Sequence, residues 1–292
     1  MNKVLIFGID SFTGKHLSVY LKESGYEVEG TSFLKEGKSI HLCDITKKKQ
    51  ITSILDKVHP VYIINLSGIS FSAHKNSLDF YKVNTLGTEN ILSSIEKLQL
   101  KPKKIILASS ATVYGKQDTN ILDEKLTPNP SDHYGISKYA AECIAKNFFT
   151  KLPIIITRPF NYTGIGQSDI FLIPKIVNHF KNRKKVIELG NLDVSREFNS
   201  ISFVCDAYKR LLKCSSTSEV VNIASNRGIK LLDVIDSMNQ IAGYKIEVKT
   251  NPKFIRKNEI KRLTGSNKKL FEMIGDIKQQ PFKYTLKEMY ES

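Results

Sequence analysis

A tyrosine and a lysine four residues apart form a pair that could do acid–base chemistry. Tyr134 and Lys138 lie in the stretch YGISK, and within a helix this spacing places both side chains on one face. An ammonium near a phenol favours the phenolate, so the phenol's pKa falls from about 10 toward the range of a working acid–base catalyst. Tyr134 and Lys138 are therefore a candidate pair for acid–base catalysis. The alternative is an exposed Tyr/Lys pair on a surface helix.

A hydroxyl-rich turn precedes this pair in the chain. Ser110 and Thr112 stand in SSATVYG, at the end of a strand predicted at 104–109. Parallel sheets bind ligands outside the carboxyl ends of their strands, so a hydroxyl here could hydrogen-bond a substrate oxygen. A Ser/Thr-rich turn without a ligand is the alternative. The order of the two motifs along the chain favours the catalytic interpretation.

The stretch GIDSFTG, residues 8–14, follows the first predicted strand and has a glycine at each end. In a dinucleotide-binding turn, glycines permit the tight bend, the close approach of the backbone to the pyrophosphate and the packing of helix on strand. Ser11 stands at the close-approach position, where its small hydroxyl could donate to a phosphate. Alone, this motif fits an ordinary strand-turn-helix equally well.

Short β-branched runs alternate with longer amphipathic segments in the first half of the chain. Strands are predicted at 4–7, 26–31, 39–43, 61–66, 104–109 and 152–157, and helices near 14–24, 46–58, 84–99 and 134–149. Apolar strands separated by helices predict an α/β fold, a Rossmann-type doubly wound parallel sheet.

The regular alternation of strands and helices ends after about residue 158, where a Gly/Asn-rich stretch precedes helices predicted near 172–184, 231–242 and 284–291. We expect residues 1–157 to form a Rossmann domain that binds the dinucleotide, with a return segment near 193–224. Residues 158–192 and 225–292 are expected to form a smaller C-terminal α/β lobe that binds the substrate.

Composition narrows the classes of function. The chain has 292 residues and a formal net charge of +15, from 44 Lys and Arg against 29 Asp and Glu. The positive charge is mostly Lys in scattered clusters, which favours a solvated surface over a nucleic-acid interface. The four cysteines show no metal-ligand spacing, so we expect neither a disulfide framework nor a metal site. We also expect a cytoplasmic protein with no secretory signal and no membrane span.

Taken in order, the motifs resemble those of the extended short-chain dehydrogenases/reductases of the epimerase/dehydratase type, which act on nucleotide sugars. The similarity covers essentially the whole chain and includes Asp44-Ile45, NTLGTENIL with Asn84, and RPFNYTGIGQ at 158–167. Within this family, RPFNYTGIGQ and IRKNEIKRLTGSNKKL (255–270) are most similar to stretches of the GDP-4-keto-6-deoxy-D-mannose reductases, which make GDP-D-rhamnose.

The resemblance implies reduction of the C4 ketone of a nucleotide-linked 4-keto-6-deoxy sugar, for surface-polysaccharide biosynthesis. Tyr134 would supply the proton, Lys138 would hold the nicotinamide ribose, and Ser110 would share the substrate oxygen. The family's 4,6-dehydratases carry a carboxyl residue directly after the catalytic Thr, because elimination of water needs a further acid–base group. Ala111 and Thr112 occupy those positions here, which argues against dehydration.

The resemblance also implies two sets of binding residues. The cofactor-binding residues are Gly8, Ser11, Phe12, Thr13, Gly14, Ser32, Asp44, Ile45, Leu66, Ser67, Gly68, Asn84, Tyr134 and Lys138. The substrate-binding residues are Thr112, Asn161, Arg196, Arg256 and Glu259, and the two arginines would hold the nucleotide diphosphate.

Cofactor choice depends on the end of the second strand. Ser32 replaces the acidic residue of NAD-preferring members, so NADPH is favoured and NADH remains possible. Phe33 replaces the Arg often found next, which leaves Lys35 as the nearby cation.

Two other functions remain open: a 4-epimerase with tightly held NAD, and a non-catalytic dinucleotide-binding protein. Because the family tends to dimerise through the helix that bears the tyrosine, we expect a homodimer through the helices near 84–99 and 134–149. The motifs do not decide the nucleotide base, the sugar or the product stereochemistry.

Overall fold

The computed structural model describes residues 2–71, 74–255 and 261–292. Its strands are β1 (Lys3–Phe7), β2 (Glu27–Ser32), β3 (Ile40–Leu42), β4 (Tyr62–Asn65), β5 (Lys104–Ala108), β6 (Ile154–Pro159), β7 (Tyr162–Thr163), β8 (Val186–Leu189), β9 (Ser195–Glu197), β10 (Asn199–Ser200), β11 (Glu219–Ile223), β12 (Gly228–Lys230), β13 (Glu247–Thr250) and β14 (Arg262–Leu263). Seven of them form a central parallel sheet in the order β11-β6-β5-β4-β1-β2-β3. The expected fold class is confirmed.

The α-helices connect these strands and cover both faces of the sheet. They are α1 (Phe12–Glu23), α2 (Lys48–Val58), α3 (Ser77–Phe80), α4 (Gly87–Lys97), α5 (His133–Lys146), α6 (Leu172–Lys181), α7 (Ile201–Lys213), α8 (Leu231–Ala242), α9 (Lys268–Ile274) and α10 (Phe282–Glu291). A π-helical segment, Tyr81–Leu86, joins α3 to α4, and 3-10 turns occur at Ala111–Tyr114 and Pro252–Phe254. Helices α1 and α7 pack on one face of the sheet, and α2, α4 and α5 pack on the other.

Alternation along β1 shows why the sheet is buried on both faces. Val4 and Ile6 belong to the apolar core beneath α1 and α7, whereas Leu5 and Phe7 belong to the core beneath α2 and α4. Successive side chains of a strand point to opposite faces, so a strand covered on both sides must be apolar throughout. The strand order reverses between β1 and β4, which places a ligand-binding crevice at their carboxyl ends.

A second core lies between α6, α8 and α10, and the parallel pair β8 and β13 packs against them. Strand β11 pairs with β6 at one edge of the central sheet and precedes α8, β13 and α10 in the chain. The division into a domain of residues 1–157 and a lobe of residues 158–192 and 225–292 stays a prediction.

A buried carboxylate joins the three-stranded sheet β12-β9-β14 to the loop after β11. Glu197 accepts hydrogen bonds from the hydroxyl of Ser225 (3.0 Å), the amide of Gly265 (3.0 Å) and the side chain of Asn199 (2.9 Å), and also from the backbone amide of Ser225. Burial raises the pKa of this carboxyl group. The Glu197 side chain thus links the sheet β12-β9-β14 to the loop after β11, although the two are distant in sequence.

We predict that Glu197→Ala lowers the free energy of unfolding by roughly 2–5 kcal/mol, because each buried donor left unpaired costs about 1–3 kcal/mol. Urea unfolding followed by circular dichroism measures the change. Glu96→Ala is the control, since Glu96 pairs with Lys151 at the surface and such pairs contribute about 1 kcal/mol or less. Equal losses in the two variants would contradict the role given to Glu197.

Candidate active site

The first turn of α5 packs directly on the end of β5. Asp132 caps α5 by accepting a hydrogen bond from the amide of Gly135 (2.7 Å). A Cβ atom at Gly135 would lie 3.0 Å from the carbonyl oxygen of Thr112, so a larger residue would push the helix away. The cap and the glycine together place Tyr134 beside the turn that contains Ser110.

Ser110 follows β5 and caps the 3-10 turn Ala111–Tyr114. Its oxygen accepts hydrogen bonds from the amide (3.2 Å) and the hydroxyl (2.9 Å) of Thr112. It also lies close enough to the phenol of Tyr134 to lower the pKa of the phenol. The structure therefore brings the predicted proton donor and the predicted partner for the substrate oxygen together.

The electrostatics differ from the sequence expectation for Tyr134. Burial raises the pKa of Tyr134 to about 12 and outweighs the contribution of Ser110. Lys138 donates to the carbonyl oxygen of Ala108 (2.5 Å), and its burial lowers the pKa of the ammonium to about 8, against the opposing charge of Glu142. The expected lowering of the phenol's pKa by Lys138 is wrong in this structure, because burial dominates at both groups.

The glycine turn has two positions that only glycine fits. Gly8 has a φ of +80°, and a Cβ atom there would lie 2.9 Å from the amide nitrogen of Ser67. A Cβ atom at Gly14 would lie 2.3 Å from the carbonyl oxygen of Gly8. Ser11 caps α1 by accepting from the amide of Gly14 (3.0 Å), so its hydroxyl already serves the helix.

The glycine turn packs closely against the loop that follows β4. The amide of Leu66 donates to the carbonyl of Phe7 (2.9 Å), which extends the pairing of β1 and β4. Beyond Leu66, a Cβ atom at Gly68 would lie 2.8 Å from Oδ1 of Asn84 and 3.6 Å from Nζ of Lys138. Gly68 therefore lies close to Lys138 of α5.

Asn84 lies in the π-helical segment, where its buried amide makes three hydrogen bonds. It accepts from the amide of Ile69 (2.8 Å), and it donates to the carbonyl of Ile69 (3.2 Å) and the hydroxyl of Ser137 (3.0 Å). Single π turns are frequent at functional sites because they re-aim a side chain. Here the turn aims Asn84 between the loop after β4 and α5.

This edge of the sheet fits a dinucleotide. Two positions demand glycine, and the amino end of α1 faces the turn with Lys15 and no acidic residue in its first turn. A helix amino terminus of this kind attracts phosphate through its free amides and its dipole. Within residues 2–71, 74–255 and 261–292, no group of three His, Cys, Asp or Glu side chains could hold a metal ion.

The residues predicted at the adenosine end follow β2 and β3. Ser32 donates its hydroxyl to Asp10 (2.6 Å) and accepts from the amides of Leu34 (3.0 Å) and Lys35 (3.2 Å). Asp10 extends from the glycine turn, and sequence reasoning missed it because the contact joins this turn to the end of β2, 22 residues further along the chain.

Asp44 and Ile45 follow β3. Asp44 accepts from the amide (2.9 Å) and the hydroxyl (2.7 Å) of Thr46, which orders the loop. Ile45 is buried against Gly87, where a Cβ atom would lie 2.6 Å from its Cδ1. Contact of Asp44 and Ile45 with adenine stays a prediction.

Two residues of the glycine turn contact the chain after β6. The hydroxyl of Thr13 lies 2.7 Å from that of Tyr162, and the ring of Phe12 stacks on Tyr162 at a centroid distance of 6.2 Å. Neighbouring Asn161 has an exposed side chain, and its carbonyl accepts from the amide of Asn199 (2.8 Å). These contacts join the predicted cofactor turn to the predicted substrate loop.

Arg196 lies on β9, where its Nη1 donates to the carbonyl oxygens of Ser195 (3.0 Å) and Lys261 (3.1 Å). Arg256 and Glu259 lie outside the described residues, directly before Lys261 in the chain. The binding of a diphosphate by Arg196 and Arg256 therefore stays a prediction.

Sequence reasoning also missed a buried group on the far side of Lys138. Glu142 bonds Ser109 (2.5 Å) and Arg158 (3.0 and 2.6 Å), which lie on other strands or strand ends. One signal was available, since positions 134, 138 and 142 repeat at the four-residue spacing of one helix face.

The sheet, the glycine turn and the Ser–Tyr–Lys group define a short-chain dehydrogenase/reductase of the extended type, an NAD(P)-dependent oxidoreductase. The family model described as GDP-mannose 4,6 dehydratase matches residues 5–289, and the chain belongs to this family.

Two relatives with assigned activities extend over nearly the whole chain. GDP-6-deoxy-D-talose 4-dehydrogenase from Aggregatibacter actinomycetemcomitans is 35% identical over 292 residues, which cover 99% of this chain and 97% of the relative. GDP-6-deoxy-D-mannose reductase from Pseudomonas aeruginosa is 28% identical over 284 residues, with coverage of 94% and 91%. A solved structure of RMD from Pseudomonas aeruginosa complexed with NADPH is similar, with a TM-score of 0.89, 25% identity and coverage of 100% and 98%.

Since Ser11 caps α1, we predict that Ser11→Ala lowers the free energy of unfolding by about 1 kcal/mol and Ser11→Gly by only a few tenths. Dinucleotide affinity should stay within about three-fold in both variants. Urea unfolding and fluorescence titration measure the two effects. A loss of affinity of ten-fold or more in Ser11→Gly would show instead that the hydroxyl binds a phosphate.

Proposed function

We propose that the protein reduces the C4 ketone of a nucleotide-linked 4-keto-6-deoxy sugar, of the GDP-4-keto-6-deoxy-mannose type, with NADPH as the favoured cofactor and NADH also accepted. The observation that carries this proposal is the meeting of Tyr134 and Ser110 beside Lys138 at the ligand-binding edge of the sheet. The activities of the two relatives support the substrate class. The supply of sugars for surface polysaccharides is the proposed role in the cell.

In the proposed reaction, Tyr134 donates its phenolic proton to the sugar oxygen as negative charge develops there. Ser110 hydrogen-bonds the same oxygen, and two positioned donors stabilise the charge more than water does. Reduced nicotinamide, when bound, supplies the hydride. Lys138 holds the ribose hydroxyls near Tyr134.

The residues around the catalytic group favour reduction over dehydration, although the family takes its description from a dehydratase. Ala111 is buried, and Thr112 donates its hydroxyl to Ser110 (2.9 Å). Elimination of water from the sugar requires a carboxyl acid–base group, which neither side chain can provide.

We further propose a cytoplasmic homodimer. Leu78 and Leu86 on the helical segment 77–97 and Ile136 on α5 are exposed, large and apolar, at the helices expected to form the dimer. Apolar side chains grouped on adjacent helices are typical of an interaction surface. No helix in the described part of the chain is long and apolar enough to cross a membrane.

We predict that the protein oxidises NADPH stoichiometrically with a 4-keto-6-deoxy sugar linked to GDP, in a panel that also contains the dTDP, UDP and CDP analogues. NMR of the product identifies the configuration at C4. Tyr134→Phe should lower kcat by about 100-fold or more, because a positioned proton donor contributes about 10²–10⁴-fold, while the variant still binds the dinucleotide.

Two other outcomes would each favour a different function. Interconversion of C4 epimers without net cofactor consumption would identify an epimerase. No turnover of any substrate, with the same dinucleotide affinity in wild type and Tyr134→Phe, would favour a non-catalytic dinucleotide-binding protein.

Asp10 leads to a prediction about cofactor choice. Its carboxylate bonds Ser32, the residue expected at the adenosine 2′ position. Removing a negative charge there should favour the 2′-phosphate, because like charges about 4 Å apart repel by about 1 kcal/mol in water and more when partly buried. Asp10→Asn should therefore raise the ratio of NADPH to NADH affinity by about five-fold or more. Asp56→Asn, an equal charge change at an exposed position of α2, is the control in the fluorescence titrations, and equal ratios in both variants would reject the role of Asp10.

A further inference from the structure

We propose that Glu142 is a positioning residue for the Ser110–Tyr134–Lys138 site, which fastens α5 to the end of β5 through Ser109 and places a fixed negative charge one helical turn from Lys138. The inference deepens the proposed function, since it concerns the same site. Glu142 is buried and does not touch the position of the substrate oxygen, so it would act through its neighbours.

Two consecutive residues of the chain tie β5 to α5. Lys138 donates to the carbonyl oxygen of Ala108 at 2.5 Å, and Ser109 donates its hydroxyl to Oε1 of Glu142 at 2.5 Å. Ser110 follows immediately. Because both bonds lie on the face of α5 that carries Tyr134, they set the position of Ser110 relative to the phenol.

A second set of bonds holds the Glu142 carboxylate. Arg158 on β6 donates from Nε to Oε1 (3.0 Å) and from Nη2 to Oε2 (2.6 Å), which is a two-pronged ion pair. The guanidinium lies 4.7 Å from the ring centroid of Tyr114, whose hydroxyl donates to Asn222 (2.7 Å). Three donors, the Ser109 hydroxyl and two nitrogens of Arg158, thus fix the carboxylate. Through the contact of Arg158 with Tyr114, β6 also supports the 3-10 turn that Ser110 caps.

The burial of this pair needs an explanation beyond stability. Both side chains are at most 2% exposed, and Nη1 of Arg158 has no hydrogen-bond partner among the residues that the structure describes. A buried ion pair is often no more stable than apolar residues of similar volume, so stability alone does not account for this one. Here the ion pair holds Ser109, which precedes Ser110, against α5, which carries Tyr134 and Lys138.

The charge of Glu142 also acts on Lys138. The groups near Lys138 are the Ala108 carbonyl from β5, the uncharged Gly68 from the loop after β4, and Glu142 from α5 itself. Glu142 in turn faces Arg158 from β6, Ser109 from β5 and Tyr139 from its own helix. Burial lowers the pKa of Lys138 to about 8, and Glu142 opposes this shift. Without the carboxylate, Lys138 would lose its proton at lower pH.

Two variants separate the positioning and the charge. Ser109→Ala keeps the ion pair and removes only the link to β5, and we expect a three- to ten-fold lower kcat with unchanged dinucleotide affinity and an unchanged pH profile. Glu142→Gln combined with Arg158→Met removes both charges and leaves no buried arginine without its partner. In this double variant we expect the alkaline limb of the pH profile to move to lower pH by about half a unit or more.

The pH profile is measured on dinucleotide affinity by fluorescence titration, as well as on kcat/KM. The affinity readout needs no sugar substrate, so it tests the inference even where the proposed reaction fails. Glu124→Gln is the control, because Glu124 is a carboxylate of raised pKa that accepts from the amide of Asn222 (2.7 Å). We expect it to lower thermal stability without moving the alkaline limb.

Glu142→Asp retains the charge on a shorter side chain. We expect it to keep the alkaline limb near that of the wild type while kcat falls as in Ser109→Ala. An unmoved alkaline limb in the double variant, with its fold shown intact by circular dichroism, would overturn the role of the charge. An unchanged kcat in Ser109→Ala, in a protein that turns over the sugar, would overturn the positioning role.

Discussion

The close packing of α5 on the end of β5 determines where the reacting groups lie. It depends on a cap and a missing side chain, since Asp132 starts the helix and Gly135 lets its first turn approach Thr112 to within van der Waals contact. One helical turn later, Lys138 is bound to β5 through the Ala108 carbonyl. Tyr134 and Ser110 meet as a consequence of this packing rather than through a strong bond of their own.

On the other side of the crevice, close backbone packing also determines the position of the glycine turn. Gly8 and Gly14 are required because neighbouring backbone occupies the space of a side chain. The same closeness extends through Gly68 to Asn84 and Lys138, so the cofactor edge and the catalytic helix share one tightly packed contact. A parallel sheet whose strand order reverses there supplies the crevice, and backbone approach rather than charged side chains shapes it.

The sequence predicted the central sheet well because strands buried on both faces are continuous aliphatic runs, as in KIILA of β5 and IIITRP of β6. It did not predict α7 (Ile201–Lys213), whose β-branched and aromatic residues are typical of strands. A Ser200 cap and burial at helical spacing make this segment a helix against the sheet, so tertiary packing overrides local preference.

The predicted site also has parts that the sequence alone indicates and parts that depend on the fold. Tyr134, Lys138 and Ser110 follow from spacing and order, because neighbours on one helix face and at one strand end are visible in the chain. The Asp10–Ser32 and Glu142–Arg158 contacts could not be predicted, since the first joins the glycine turn to the end of β2 and the second joins α5 to β6. The direction of the Tyr134 pKa was predicted wrongly for a related reason: spacing indicates that an ammonium is near, whereas the extent of burial depends on the whole fold.

The names of the two relatives indicate what decides the product. 6-Deoxy-talose and 6-deoxy-mannose differ only in the configuration at C4, so the two relatives act on C4 epimers. A proton donor and a hydroxyl can serve either epimer, provided that the ring presents the matching face to the nicotinamide. The orientation of the ring depends on the residues that bind the sugar and its diphosphate, which are predicted to be the loop after β6, Arg196 and Arg256. We therefore propose that the predicted substrate lobe decides the stereochemistry, and that Ser110, Tyr134 and Lys138 supply the reaction that this lobe directs.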